Sequence, residues 1–494
     1  MNIRSFSVAL AAAVLTLFGG VVTTSNAAAK TPTLSVAAAS RAVDQARDAL
    51  AGVGDTEVTL AMRDLAIALP SLEGSDREAA RRILSRPADP SDSDPFTGPE
   101  AASSPDCTTN FCVHWTQVGA DAPSLTDTSP SNGIPDYVDA AESHAENSFS
   151  VENNGLGWVE PKSDGTRGGG SGKTDIYLEQ LGNQGLYGYA APDRGQGSSR
   201  KQFAYLVIDQ DFDPSEFGGA PAINSLEVTL AYEYNHVLQF NYDVFQDQWL
   251  FESTATWAEE EVYPAVNDYI NYVPSFAAHP EVPLTNPGGL KIYGSAVWAH
   301  WLTSQINAAV VRKAWETSTA TNPPDFAYAS YDAAIKASSA SDLPQQFVNF
   351  AAETAEWRAS SAFPDPTTYP NIARAGTLGL SAPHSRKIDH TAFRLFKVVP
   401  NGLAAIKLKA RVPSGVRAGI ALIGRIGSET GGTITRQIAF SRTGGNLTVA
   451  LANPGAFSRI TAVLVNADGK VAGFSGSDWV YKHDNVKFNF KLVH

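Results

Sequence analysis

The spacing of apolar positions changes along this chain and separates three regions. In the first region, apolar residues recur at helical spacing within residues 38–50 and 57–69, which are rich in Ala and Leu. Ser75 and Glu78 have the spacing of a capping box, so we expect a third helix over residues 76–85. The pattern therefore predicts a small helical unit near the amino end of the chain.

The second region mixes strand and helix patterns. Short apolar runs at residues 174–178 and 203–209 predict strands, and the second run is either a plain core strand or an edge strand that pairs with an extended peptide. Longer periodic segments predict helices at residues 224–242, 252–262, 294–305, 310–317 and 343–358. We expect Asn224 to be the N-cap of the first of these helices. This region is predicted to be α+β.

The third region alternates with a period of two. Within residues 404–412, Ile406 and Leu408 face one side of the predicted strand, and Lys407 and Lys409 face the other. Further short segments of this kind follow, separated by turns rich in Gly, Asn and Asp. Many short strands at this spacing predict an all-β sandwich.

Length and charge restrict the class of protein. The 494 residues are enough for two or three domains with their own cores. The net charge is −14 and no run of Lys and Arg stands out, so we expect no nucleic-acid partner. These features do not predict an oligomeric state.

The amino end has the features of a secretory signal. Arg4 precedes an apolar run at residues 8–22 that is too short to span a bilayer, and Ala27 ends a small-x-small cleavage site, with Ala29 as an alternative end. We therefore expect a signal peptide over residues 1–27 and a secreted, extracellular protein without a membrane span. In an exported protein, Cys107 and Cys112 are expected to form a disulfide; a metal pair is less favoured because no second Cys/His pair lies nearby.

Composition completes the predicted domain organisation. Residues 28–86 form the helical segment, which is either a pro-segment that masks a site until it is cleaved or a stable helical appendage. A linker rich in Pro, Ser and Asp follows at residues 87–105. The α+β domain then occupies residues 106–378, and the β-sandwich domain occupies residues 385–494.

The predicted helix at residues 224–242 carries the candidate chemistry. Tyr232 and His236 are four residues apart and therefore lie on one helix face, with Glu233 at its edge. Glu252 follows after enough chain for a turn and a second helix. The simplest alternative is that these are unrelated polar residues.

The segments around these residues resemble a known family. Residues 249–253, with the sequence Trp-Leu-Phe-Glu-Ser, resemble the segment that carries the third zinc ligand of gluzincin metallopeptidases. The stretch from residue 107 to about residue 264 is similar to a group of secreted bacterial metalloprotease-like proteins. The shared segments are Cys-Val-His-Trp at 112–115, Asn-Gly-Ile-Pro-Asp-Tyr-Val-Asp at 132–139 and Gly-Leu-Tyr-Gly-Tyr-Ala at 185–190.

The resemblance implies a zincin-like domain that hydrolyses a peptide or protein substrate. It implies that His236 and Glu252 hold a zinc ion and that Glu233 activates water. This chain departs from the family at Tyr232, which replaces the first His ligand. A phenol has a pKa near 10, so a Tyr ligand is expected to weaken the site.

Two functions therefore remain open. Tyr232 either binds zinc through its oxygen and leaves an active peptidase, or bonds to Glu252 or His236 in an inactive scaffold that serves as a secreted binding module. Tyr293 and His300 are candidates for stabilising an oxyanion, since gluzincins often place Tyr or His nearby. Glu259 is a candidate for supporting the metal ligands; each of the three has a plainer alternative as a core, rim or surface residue.

Two further motifs are weaker. Residues 168–174 resemble a phosphate-binding loop, but Arg167 stands where its first Gly is required, so we predict a turn. Residues 127–139 have the acidic look of a calcium loop, although the spacing is irregular and the start of a helix is favoured.

Overall fold

The computed structural model describes residues 35–54, 56–89, 105–197, 199–318, 326–399, 402–474 and 479–494. The predicted signal peptide and most of the predicted linker lie outside the described residues. The fold is mixed α+β with several sheets, as expected. Within the part of the chain that the structure describes, no helix is both long enough and apolar enough to cross a membrane.

Three helices form the amino-terminal unit: α1 (Val36–Leu50), α2 (Val58–Ala68) and α3 (Gly74–Ile83). The side chain of Glu57 caps α2 by accepting hydrogen bonds from the backbone N–H groups of Thr59 and Leu60. The predicted capping box of α3 is wrong. This helix begins earlier, so Ser75 lies inside its first turn and no side chain caps it.

A five-stranded sheet follows, and its strands are β1 (Asp106–Cys107), β2 (Phe111–His114), β3 (Thr174–Glu179), β4 (Gly188–Pro192) and β5 (Ala204–Asp209). Their order is β1-β2-β3-β5-β4; β3 is parallel to β2 and β5, whereas β4 runs antiparallel at the edge. The run at residues 203–209 therefore forms an interior strand, whereas β4 lies at one edge of the sheet and β1 at the other. A disulfide joins Cys107 to Cys112, which confirms that prediction.

The helices of the middle region are α4 (Asp136–Phe149), α5 (Arg167–Gly170), α6 (Ala222–Tyr242), α7 (Gln248–Val262), α8 (Val273–Ala278), α9 (Lys291–Gly294), α10 (Ala296–Gln305), α11 (Ala309–Ser318), α12 (Ala327–Ser338) and α13 (Leu343–Thr354). Asn224 is not an N-cap, because α6 begins two residues before it and follows Pro221. The helix predicted to reach residue 358 ends at Thr354, and a 3₁₀ turn follows at Trp357–Ala359.

The carboxyl-terminal part is built of strands β6 (Thr377–Leu378), β7 (His384–Ile388), β8 (Ala392–Val398), β9 (Ala405–Val412), β10 (Ala418–Ile426), β11 (Thr433–Ser441), β12 (Gly445–Ala452), β13 (Arg459–Asn466), β14 (Val471–Phe474), β15 (Trp479–Tyr481) and β16 (Val486–Val493). Two sheets, ordered β11-β10-β13-β8-β6 and β12-β9-β16-β7, enclose one apolar cluster. Alternation places Leu422 of one sheet and Leu408 of the other in that cluster.

The outer face of the first of these sheets packs against the helices. Ile423 and Val463 belong to the same apolar cluster as Phe347 and Val348 of α13. Gly419 leaves room for Val348 against β10. The carboxyl-terminal strands are therefore attached to the α+β region across a packed face.

Candidate functional site

Helices α6 and α7 bring Tyr232, His236 and Glu252 together. The ring centroids of Tyr232 and His236 are 4.7 Å apart, and the Tyr232 hydroxyl donates a hydrogen bond to Glu252. Nε2 of His236 lies 3.8 Å from Oε1 of Glu252. His236 and Glu252 are both 0% exposed, so these contacts lie in the interior of the protein.

A chain of hydrogen bonds orients His236. Its Nδ1 lies 2.7 Å from Oε1 of Gln239, whose amide nitrogen donates to Asn235, Thr254 and the carbonyl of Phe251. Because Gln239 presents an acceptor, Nδ1 carries the proton and Nε2 has a free lone pair. Burial lowers the pKa of His236 to about 3, so the imidazole is neutral.

Two ligand-type atoms in this site have no hydrogen-bond partner among the described residues. They are Nε2 of His236 and Oε1 of Glu252, the same two atoms that face each other. Buried polar atoms are normally paired, so both atoms fit a role as metal ligands. However, the described residues hold no group of three His, Cys, Asp or Glu side chains that could bind a metal ion. Tyr232, which contacts both residues, is the candidate for a third protein ligand.

The environment of Tyr232 opposes its ionisation. Burial, followed by the nearby Glu252 carboxyl group, raises its pKa well above the usual value for a phenol. Burial also raises the pKa of Glu252 well above its usual value. In this state Tyr232 keeps its proton and donates a hydrogen bond to Oε2 of Glu252, so that this second carboxyl oxygen already has a partner.

Glu233 contacts the amino-terminal unit. Its Oε2 accepts a hydrogen bond of 3.0 Å from the hydroxyl of Thr59, and that hydroxyl accepts one of 2.9 Å from the backbone N–H of Ala190 in β4. Burial, followed by the charge of Glu57, raises the pKa of Glu233 well above its usual value. Sequence reasoning missed Glu57 and Thr59, although Glu57 stood at the predicted start of a helix.

The supporting candidates lie at different distances from these residues. The ring of Tyr293 is 6.5 Å from that of Tyr232, and burial followed by the charge of Glu252 raises its pKa, so Tyr293 borders the site. His300 instead packs against Tyr269, with ring centroids 4.9 Å apart. Glu259 is buried beside Asp268 and Glu260, which add to the effect of burial in raising its pKa. The roles predicted for these three residues stay predictions.

The two weaker motifs form local structure. Gly168 lies against the buried ion pair of Arg86 with Asp175. In the other motif, Asp127 accepts hydrogen bonds from the backbone N–H groups of Asn132 and Gly133, which closes the loop on itself.

Comparison with known proteins adds little. No family model matches this chain, and no curated protein matches it. A solved family 16 carbohydrate-binding module is 18% identical over 22% of this chain and 74% of that chain, with a TM-score of 0.16. Aminopeptidase A from Legionella pneumophila, solved with aspartic acid, is 10% identical over 72% of this chain, with a TM-score of 0.33. The match spans 35% of that aminopeptidase's length. Both TM-scores are too low to indicate a shared fold.

Proposed function

We propose that this chain is a secreted metallopeptidase-type protein that hydrolyses peptide bonds with a zinc ion held by His236, Glu252 and Tyr232. The observation that carries the proposal is the pair of buried, unpartnered atoms, Nε2 of His236 and Oε1 of Glu252, 3.8 Å apart. The resemblance of residues 249–253 to the gluzincin ligand segment supports the choice of zinc. The disulfide at Cys107 is typical of an exported protein and supports secretion.

The residues of the site divide the chemistry between them. A bound zinc ion would lower the pKa of a water molecule and polarise the peptide carbonyl. Glu233 would accept a proton from the attacking water, since its carboxyl group lies beside the ligand helix face. Gln239 holds His236 in the tautomer that leaves Nε2 free. Tyr293 borders the site and is the candidate to hydrogen-bond the oxyanion.

A second candidate function is a non-catalytic secreted binding protein on a peptidase-type scaffold. The hydrogen bond from Tyr232 to Glu252 favours it, because that bond satisfies a ligand oxygen without a metal. To bind zinc through oxygen, Tyr232 would have to lose both its proton and this bond.

Zinc content decides between the two functions. The wild-type protein and the variants H236A, E252A, E233A and Y232H are incubated with zinc, desalted and assayed by mass spectrometry. Peptidase function predicts about one zinc per chain in wild type and E233A, and loss of zinc in H236A and E252A. Casein hydrolysis should then require Glu233, whereas E227A, on the same helix beside His144, serves as the control.

The opposite results are equally clear. Zinc that appears only in Y232H would indicate a decayed site and favour the binding protein. Zinc that appears in no protein of the series would contradict the metal site itself.

A further inference from the structure

We propose that the amino-terminal unit, residues 35–89, is a separable inhibitor of the site, and that the surface covered by α2 is its binding surface. The inference rests on the proposed function, since inhibition requires that the site hydrolyse a substrate. It assigns residues 57–63 as the part of the inhibitor that fills the site.

The first turn of α2 occupies the side of the site that faces the edge strand. Thr59 bridges the backbone N–H of Ala190 and the carboxyl group of Glu233 through one hydroxyl. The N–H of Ala190 points away from its partner strand, as alternate N–H groups of an edge strand do, and is a donor that an extended peptide could use. Thr59 therefore forms hydrogen bonds with both the proposed base, Glu233, and the backbone donor of Ala190, so neither is available to a substrate.

The next turn of α2 covers the ligand helix α7. The guanidinium carbon of Arg63 lies 5.0 Å from the ring centroid of Phe251, the neighbour of Glu252. Nη1 of Arg63 donates to the carbonyl of Gln246 at 3.1 Å. Arg63 is 5% exposed and Glu233 is 3% exposed. A substrate can therefore reach Glu233 only in the fraction of molecules in which α2 has moved away.

Ion pairs hold the other end of the unit. Arg86 is 1% exposed and pairs with Asp164 at 2.6 Å, with Asp193 at 2.7 Å and with Asp175. The backbone carbonyl of Ser85 accepts a hydrogen bond of 2.9 Å from Tyr205. This end therefore contains one buried cation among three carboxylates, so loss of Arg86 would leave those carboxylates without their shared partner.

The face of the five-stranded sheet that the amino-terminal unit covers has side chains that tolerate contact with water. Residues of β3 and β5 that point towards the long helices are aliphatic, such as Ile176, Leu178 and Leu206. The large side chains that point towards the amino-terminal unit are Tyr177, Tyr189 and Tyr205. Tyrosine has an apolar ring and a polar tip, so it tolerates water better than aliphatic side chains do. Departure of the unit would expose an amphipathic surface.

The contact is also incomplete. A cavity of about 440 Å³ lies where α3 approaches the chain near Gly195, and four arginines line it: Arg77, Arg81, Arg167 and Arg194. A cavity lacks the packing contacts of a core, so packing is weaker on this side of the unit. Polar contacts remain there, since Arg194 donates to the hydroxyl of Ser85 and pairs with Asp89 at 3.0 Å.

The test uses the full chain with a specific protease site placed between residues 90 and 104. The cut protein is compared with cut T59V, which loses both hydrogen bonds of Thr59, and cut R86Q, which loses the buried cation. Cut R82Q is the control, because Arg82 lies exposed on the same unit. Gel filtration measures release, hydrogen exchange measures access to the Ala190 amide, and zinc content and casein hydrolysis are followed in parallel.

We expect cut R86Q to release the unit, to exchange the Ala190 amide faster and to hydrolyse casein at least about tenfold faster than the uncut chain, because the fraction of open sites sets the apparent rate. Cut R82Q should match the cut wild type. A unit that stays bound with Ala190 protected in every cut variant would overturn the inference, whatever the zinc content. Release with zinc present but no gain in hydrolysis would also overturn it, whereas absence of zinc throughout would defeat the proposed function.

Discussion

The Tyr232 hydroxyl donates a hydrogen bond to Glu252 at the position where a metallopeptidase of the resembled family has a histidine ligand. The same residue contacts the ring of His236 edge-on, so it touches both ligand-type side chains. Tyr232 is therefore the residue at which the two proposed functions differ.

Replacing Tyr232 with Phe tests the hydrogen bond in the metal-free protein. The variant keeps the ring but leaves the buried Glu252 without this donor, so the free energy of unfolding should fall by about 1–3 kcal/mol. Urea denaturation of zinc-free protein measures the change. Y187F is the control, because Tyr187 is 44% exposed; equal stability of the two variants would contradict the role of the bond.

Gly168 is a second residue at which local geometry matters. It has a φ of +65°, and a Cβ there would collide with Asp175 and Arg86. Gly165 has a φ of +82° but open space around its Cβ position. G168A should therefore lower the free energy of unfolding more than G165A, by about 1–3 kcal/mol, since only G168A adds overpacking to backbone strain. If urea denaturation shows the same loss of unfolding free energy for G168A and G165A, the collision with Asp175 and Arg86 does not affect stability.

At the scale of elements, close packing of helix α13 on strand β10 joins the α+β region to the carboxyl-terminal strands. Gly419 of β10 faces Val348 of α13, and the absence of a side chain lets the two elements approach closely. Strand propensity alone does not favour Gly, so this glycine near the start of β10 is explained by its contact with Val348.

The substitution G419A tests that contact. The added methyl group would overlap Val348, so the variant should lose about 1–3 kcal/mol of stability. Adding V348A should restore part of the loss, because it removes the overlapping methyl groups. G473A is the control, since its Cβ position is open. Thermal unfolding measures the wild type, G419A, V348A, the double variant and G473A. A stability loss in the double variant that exceeds the sum of the losses in G419A and V348A would contradict the packing argument.

At the scale of the whole molecule, the α+β region and the carboxyl-terminal strands share one apolar cluster. A buried ion-pair network reinforces the contact: Glu356 lies 2.5 Å from Nη2 of Arg459 and 3.4 Å from Nη1 of Arg425. Elements that share a core and buried charges are expected to unfold together.

Cooperative unfolding can be measured directly. Far-ultraviolet circular dichroism and tryptophan fluorescence should show one coincident transition in wild type. E356Q should shift both signals together, with a loss of about 3–5 kcal/mol, because it removes the charge that pairs with two largely buried arginines. Two separate transitions, or a shift in only one signal, would show that the halves unfold independently.

Local patterns in the sequence predicted local structure. Runs of apolar residues identified β3 and β5, helical spacing identified α6, and the nearby cysteines identified the disulfide. The four-residue spacing of Tyr232 and His236 followed from helix geometry alone. These predictions succeed because hydrogen bonding and side-chain direction within one element depend on neighbouring residues. Helix caps were less predictable. Asn224 and Ser75 are suitable capping residues, but both helices begin one or two residues before them.

The tertiary structure alone decided which distant groups meet. Thr59 and Glu233 are 174 positions apart, and their contact depends on the way α2 packs beside the edge strand. Likewise, only the sheet order places Ala190 at an edge and residues 203–209 in the interior. The periodicity of apolar residues indicates which side of a helix or strand is buried, but it does not indicate which other element packs against that side. The sequence therefore determined the helix that carries Tyr232 and His236, whereas three-dimensional packing determined that Tyr232 bonds to Glu252 and that α2 covers Glu233.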